Sequence, residues 1–202
     1  MPRDFSTPLR PARHELTAVL LAGGESRRMG RDKANVLFRG KPLWQVQLQT
    51  LQKLKAKEIF VSARIDPPWR PDGVPLVADV PPSRGPLSGL AASVDRMSTS
   101  HLLALAIDMP FMTENYLHRL CDQIEPGRGV VPKIGSRFEP LAATYPREAE
   151  IDFRSALAGA DYSLQTVVGD LVESGKLREL LVTAEDKRLF MNVNALSDLQ
   201  SA

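Results

Sequence analysis

The chain has 202 residues, 43% hydrophobic and 25% charged. That size and composition suit a soluble domain that buries a core without disulfide or metal staples, and exclude disorder of the whole chain. A net charge of +2 is too balanced for a general nucleic-acid or membrane-surface binder, and a single cysteine, Cys121, excludes an internal disulfide or a multi-cysteine zinc site.

In chain order, the first sixteen residues carry Pro2, Pro8 and Pro11 with Arg3, Arg10 and Arg13. They read as a flexible arm (1–16) ahead of one domain (17–202). Residues 17–22 (TAVLLA) form a short apolar run that stops at Gly23-Gly24, the pattern of a strand buried on both faces. Residues 36–38 with an Arg39-Gly40 turn read as a small excursion. Leu43, Val46, Leu48, Leu51 and Leu54 then follow Pro42 at near-helical spacing. Residues 58–63 (EIFVSA) predict a second strand, the four prolines of residues 66–75 an extended loop, residues 76–78 a third strand, and residues 85–97 a helix.

Residues 101–107 (HLLALAI) form another apolar run, which ends at Asp108. Thr113 caps a helix over 114–123. Residues 129–132 and 141–145 are strand-like, 151–157 and 164–173 helix-like, 177–182 strand-like, and 196–200 predict a terminal helix. Strands alternating with helices indicate an α/β fold, with a mostly parallel central sheet covered by helices on both faces. Ligands of such sheets bind beyond the carboxyl ends of the strands. No segment approaches ~18 uninterrupted apolar residues, and the N-terminus has no apolar run of signal-peptide length, so the expected location is cytoplasmic.

Two strand ends carry the chemistry. After the first run the chain reads LAGGESRRMGRDK, from Leu21 to Lys33. Glycines let backbone N–H groups approach an anion closely, and Arg27, Arg28, Arg31 and Lys33 outnumber Glu25 and Asp32, which suits a polyphosphate. Lys33 follows Asp32 and precedes no Ser or Thr, so this is not a Walker A loop. G-x-G-x-x-G is absent, so it is not a dinucleotide fingerprint. At the other strand end, a carboxylate at Asp108 among apolar neighbours is costly unless it meets a cation, and Mg²⁺ prefers few protein carboxylates with phosphates and waters completing its shell. The histidines, His14, His101 and His118, have no metal-ligand spacing, and Cys121 reads as a structural thiol.

The thirteen-residue string resembles the nucleotide-binding signature of the molybdenum cofactor guanylyltransferases. Further segments match in the same order: Gly40-Lys41-Pro42-Leu43; Asp79 followed by Gly85-Pro86-Leu87-Ser88-Gly89; Asp108-Met109-Pro110-Phe111; Glu139-Pro140-Leu141; and Asn192-Val193-Asn194. The resemblance covers residues 17–200. It implies a Rossmann-like fold of the nucleotide-diphospho-sugar transferase type and transfer of GMP from Mg·GTP to molybdenum-carrying molybdopterin.

It also implies residue roles. Leu21, Ala22, Gly23 and Gly24 would cradle guanine and ribose, Asp79 would help bind the nucleoside, and Lys33, with Arg27 or Arg28, would meet the phosphates. Asp108 would hold Mg²⁺ (or Mn²⁺). Glu139, Pro140, Asn192 and Asn194 would lie toward the pterin, the two asparagines sharing one strand face at period-2 spacing. Lys133 and Arg137, flanking the Gly135-Ser136 turn, either meet the pterin phosphate or form a plain basic hairpin. Lys41 ranks below Lys33 as a phosphate contact.

One departure is visible. After the second strand the family commonly has an Asn on the nucleotide, and here Arg64 stands at or near that place. CMP transfer to the same pterin, transfer to another phosphorylated acceptor, and a non-catalytic GTP- or cofactor-binding accessory role therefore stay open. The implied partners are GTP, molybdopterin and a molybdoenzyme or cofactor-delivery protein, with no nucleic acid or membrane. A monomer is the default.

Overall fold

The computed structural model describes residues 16–23, 33–79 and 81–193. Its strands are β1 (Leu16–Leu21), β2 (Leu37–Phe38), β3 (Lys41–Pro42), β4 (Glu58–Ala63), β5 (Leu76–Ala78), β6 (His101–Ala106), β7 (Gly129–Ile134), β8 (Arg137–Phe138), β9 (Ala142–Pro146) and β10 (Leu177–Leu181). Its α-helices are α1 (Leu43–Lys53), α2 (Pro86–Arg96), α3 (Glu114–Cys121), α4 (Glu150–Ala158) and α5 (Leu164–Glu173). Leu16 is buried within β1, so the sixteenth residue belongs to the sheet and not to the expected arm. The rest of that arm and the expected 196–200 helix lie outside the described residues.

Among the described residues the main sheet runs β10-β7-β9-β6-β1-β4-β5, with β8 paired to β7. β1 is flanked by β4 and β6, both parallel to it. Every residue of β1 and of β6 is buried, which explains why both read as unbroken apolar runs. Leu102, Leu103 and Leu105 have no exposed surface, each worth on the order of 1.5–3 kcal/mol over an exposed position. One face packs against α1 and α3, with Leu43, Leu48, Leu51, Tyr116, Leu117 and Leu120 in one apolar cluster. The other face packs against α2, α4 and α5 through Leu87, Leu90, Val94, Phe153, Val168 and Leu171.

The sheet is mostly parallel, with two exceptions, β8, antiparallel to β7, and β9, whose sense the sequence did not signal. β9 lies antiparallel between β6 and β7. A strand of this sense returns from the carboxyl edge without a crossover helix, so the segment leading into it sits at the same edge as the end of β6. Thr113 caps α3 by accepting from the Tyr116 N–H, as its sequence position predicts. Among the described residues no helix is long and apolar enough to cross a membrane.

The β7–β9 crossing depends on Gly129, where an added Cβ would lie 2.1 Å from the Thr144 carbonyl oxygen. Gly169, in α5, has open space around it. Gly129→Ala should therefore lower stability by about 1–3 kcal/mol or prevent folding. Gly169→Ala should raise stability by about 0.5–1 kcal/mol. Urea denaturation of both variants checks this pair.

Candidate active site

The carboxyl ends of four neighbouring strands, β6, β1, β4 and β5, are tied together by main-chain hydrogen bonds. Ala22 N donates to Ser62 O at 2.8 Å, Ile107 N to Leu21 O at 3.1 Å, and Asp79 N to Ala63 O at 3.3 Å. Leu21, Ala22, Gly23, Arg64, Asp79 and Asp108 thus emerge along one edge of the sheet. Asp79 comes close to Gly23: a Cβ added there would lie 3.9 Å from the carboxylate Oδ2. Ser83 holds that oxygen, its Oγ donating at 2.6 Å.

Lys33 opens a short 3-10 turn, Lys33–Asn35, and its Nζ donates to Asp108 Oδ2 at 2.8 Å. The two side chains are 19% and 24% exposed, so the pair is sheltered yet reachable from solvent. Residues 75 apart in sequence meet because β1 and β6 are adjacent and in register. A sheltered carboxylate such as that of Asp108 is the kind of protein donor Mg²⁺ accepts when nucleotide oxygens and waters supply its other ligands. Among the described residues no group of three or more His, Cys, Asp or Glu could hold a metal by itself.

The acceptor-side candidates reach the same edge by another route. Ala106 N donates to Leu141 O at 2.8 Å, which joins the Glu139-Pro140-Leu141 segment to the end of β6. Tyr145 Oη donates to Pro140 O at 2.6 Å, and Glu139 N to Pro132 O at 2.8 Å. Burial pushes the Glu139 carboxyl above its ordinary range, and Arg137 partly offsets this. Lys133 is engaged by Glu179 at 2.7 Å and lies over the Phe138 ring, which favours the plain basic hairpin for that residue.

Asn192 differs from its expected setting. It is exposed, follows the 3-10 segment Asp186–Phe190, and lies in irregular backbone. Val193 N donates to Asp108 O at 2.8 Å instead of joining a strand ladder, so no strand face forms at Asn192, although the segment does adjoin Asp108. Gly24, Arg27, Arg28 and Asn194 lie outside the described residues. Lys41 is exposed and donates to Gln49.

Sequence reasoning missed three polar residues. Gln47, buried in α1, donates to Ala106 O at 3.4 Å beneath the Asp108 turn. Its signal was a polar residue at a core position of the helix, four residues from both Leu43 and Leu51. Tyr116 on α3 has a buried hydroxyl with no hydrogen-bond partner among the described residues, and burial pushes its pKa up to about 12. Gln165 on α5 binds the Phe138 main chain twice.

The chain matches the family profile described as MobA-like NTP transferase domain over residues 18–181. Over 186 residues it is 33% identical to a protein of Opitutus terrae named as a probable molybdenum cofactor guanylyltransferase, covering 91% of this chain and 92% of that one. It is 28% identical to the molybdenum cofactor guanylyltransferase of Syntrophotalea carbinolica, over 91% of this chain and 89% of that one. Among solved structures, the fold matches molybdopterin-guanine dinucleotide biosynthesis protein A from Archaeoglobus fulgidus with a TM-score of 0.73 and 22% identity, covering 92% of this chain and 95% of that one. It also matches 4-diphosphocytidyl-2C-methyl-D-erythritol synthase from Anaerococcus prevotii with a TM-score of 0.71 and 12% identity, covering 94% of each chain. The fold is therefore that of the nucleotidyltransferases with a nucleotide-diphospho-sugar transferase architecture. Within that class the chain belongs to the MobA-like NTP transferase family, and it is a nucleotidyltransferase.

The half-buried Glu139 carboxyl yields a stability test. A carboxyl raised above its ordinary 4.5 binds its proton more tightly in the folded chain than in the unfolded one. Its contribution to stability is thus full below that ordinary value and is lost as pH rises through the folded value. Glu139→Gln should be more stable than the parent at pH 7, with the difference vanishing near about pH 4. Denaturation curves at the two pH values check it.

Proposed function

We propose that this chain transfers GMP from GTP to molybdenum-loaded molybdopterin, giving molybdopterin guanine dinucleotide and pyrophosphate. The observation that carries the reading is the Lys33–Asp108 pair, 2.8 Å apart at the shared carboxyl edge of β1 and β6. The names of the relatives, matched over nine-tenths of the chain, supply the substrates.

In this reading a terminal phosphate oxygen of the pterin attacks the α-phosphorus of GTP. The new O–P bond forms as the bond to the β-phosphate oxygen breaks, and pyrophosphate carries the electron pair away. The attacking phosphate is already ionised near neutral pH, so the chain need supply no general base. Its work is positioning and charge stabilisation. Leu21, Ala22, Gly23 and Gly24 receive the base and ribose through main-chain groups, with Asp79 beside Gly23 accepting from the nucleoside. Lys33, with Arg27 or Arg28, offsets charge on the departing pyrophosphate. Glu139, Pro140, Asn192 and Asn194 serve the acceptor. Asp108 is the residue that would hold Mg²⁺ or Mn²⁺, which when bound neutralises charge on the nucleotide phosphates.

Arg64, exposed just beyond β4, is the observation that favours a second reading, CMP transfer from CTP to the same acceptor. The Gly23-Gly24 pair supports guanine. The reading further assigns residues 17–202 to one catalytic domain, acting in the cytoplasm as a monomer that supplies a molybdoenzyme or delivery protein.

Incubation with Mg²⁺, molybdenum-loaded molybdopterin and GTP, CTP, ATP or UTP in turn, with product and pyrophosphate quantified, should give dinucleotide with GTP alone. Product with CTP instead would overturn the guanine assignment. Asp108→Asn should lower turnover by at least ~100-fold with the fold intact. Near-parental turnover would remove Asp108 from the mechanism.

A further inference from the structure

β8 is two residues long and has β7 on one side only, Phe138 opposite Lys133 and Arg137 opposite Ile134. The N–H of the next residue, Glu139, points back to β7 and bonds Pro132 O at 2.8 Å. The Phe138 N–H and C=O therefore face away from the sheet. Gln165, in the first turn of α5, meets both: Phe138 N donates to its Oε1 at 3.0 Å, and its Nε2 donates to Phe138 O at 3.0 Å. A primary amide carries one acceptor and one donor side by side, as a strand residue does, so Gln165 completes the edge that no strand covers.

The consequence lies at the neighbouring residues. Alternate side chains of extended backbone share a face, so Arg137 and Glu139 lie opposite Phe138. Phe138 packs against the α4–α5 apolar cluster, whereas Glu139 faces the α3 side, near Tyr116. Glu139 is thus held by Pro132 on one side and, through Phe138, by Gln165 on the other. The carboxylate carried on main chain fixed in this way can accept the two adjacent N–H donors of a 2-amino-4-oxo-pyrimidine edge, the edge a pterin presents.

We propose that Gln165 is a positioning residue for the acceptor half of the site: its two hydrogen bonds to Phe138 fasten the free edge of β8 to α5 and so steady the placement of Glu139 toward the pterin ring. This rests on the reading of the acceptor as a molybdopterin. Gln165 touches neither substrate and acts on the acceptor side alone, so its removal affects the two substrates unequally.

The test uses the full chain and two variants. Gln165→Met keeps the length of the side chain and loses both hydrogen bonds. Gln165→Glu keeps the acceptor for Phe138 N and loses the donor to Phe138 O. In Gln165→Met, amide hydrogen exchange at Phe138 should rise about tenfold or more, with β1 and β6 unchanged. The KM for molybdopterin should rise about tenfold while the KM for GTP stays within about twofold, and Gln165→Glu should fall between Gln165→Met and the parent. Unchanged exchange at Phe138 removes the clamp itself. Both KM values moving together, or a lowered Tm with neither KM moving, reduces Gln165 to a structural residue and overturns the proposal. A parent chain that turns over no pterin with any nucleotide sinks the functional reading, and this inference with it. An active parent with an unselective Gln165→Met sinks the inference alone.

Discussion

The parallel, in-register pairing of β1 with β6 is the constraint on which the site depends. Leu21 stands opposite Ala106, so the two strands end at the same height. The chain beyond β1 then leads to Lys33, and the chain beyond β6 leads within two residues to Asp108. A slip of one residue between the two strands would move the end of β6, and Asp108 with it, by about 3.3 Å relative to Leu21. Burial of both strands on both faces resists such a slip, because every position is fitted between helices α1 and α3 on one side and α2 on the other. Packing in the middle of the sheet thus sets where Asp108 stands at its edge.

The same edge gains its second half from the inverted strand. β9 runs against β6, and the segment entering it, Glu139-Pro140-Leu141, is anchored to Ala106, Tyr145 and Pro132. In the proposed reading the residues assigned to the nucleotide come from β1, β4 and the chain after β5, and those assigned to the acceptor come from the β8–β9 connection. Asp108 lies between them in strand order, since β6 separates β1 from β9. An in-line transfer between two bound molecules calls for such an arrangement, with the charge-bearing residue at the junction.

Much of the fold was legible because two-sided burial leaves a plain signature. The unbroken apolar runs of β1 and β6, the helical stripe of α1 and the Thr113 cap of α3 all stand where local sequence puts them. The position of Asp108 at the mouth of a buried strand was legible from the apolar run before it. The sense of β9 was not, since five residues buried throughout carry no alternation to distinguish parallel from antiparallel. Gln165 was invisible for a different reason: its partner lies 27 residues away, and an amide in the first turn of a helix looks like any solvated one. The Asn192 strand expectation failed because period-2 spacing gives a shared face only where a ladder forms, and here the Val193 N–H is taken by Asp108. Gly24, Arg28 and Asn194 belong to segments outside the described residues.

In the proposed reaction Lys33 and Asp108 form one working unit. A double-mutant cycle on Lys33→Met and Asp108→Asn, read as kcat/KM for GTP at fixed molybdopterin, tests it most directly. If the two act together on the same phosphates, the double variant loses about as much activity as the worse single variant, a strongly non-additive result. Losses that simply multiply would contradict the account, since they would mean that the 2.8 Å pair joins two residues with independent tasks.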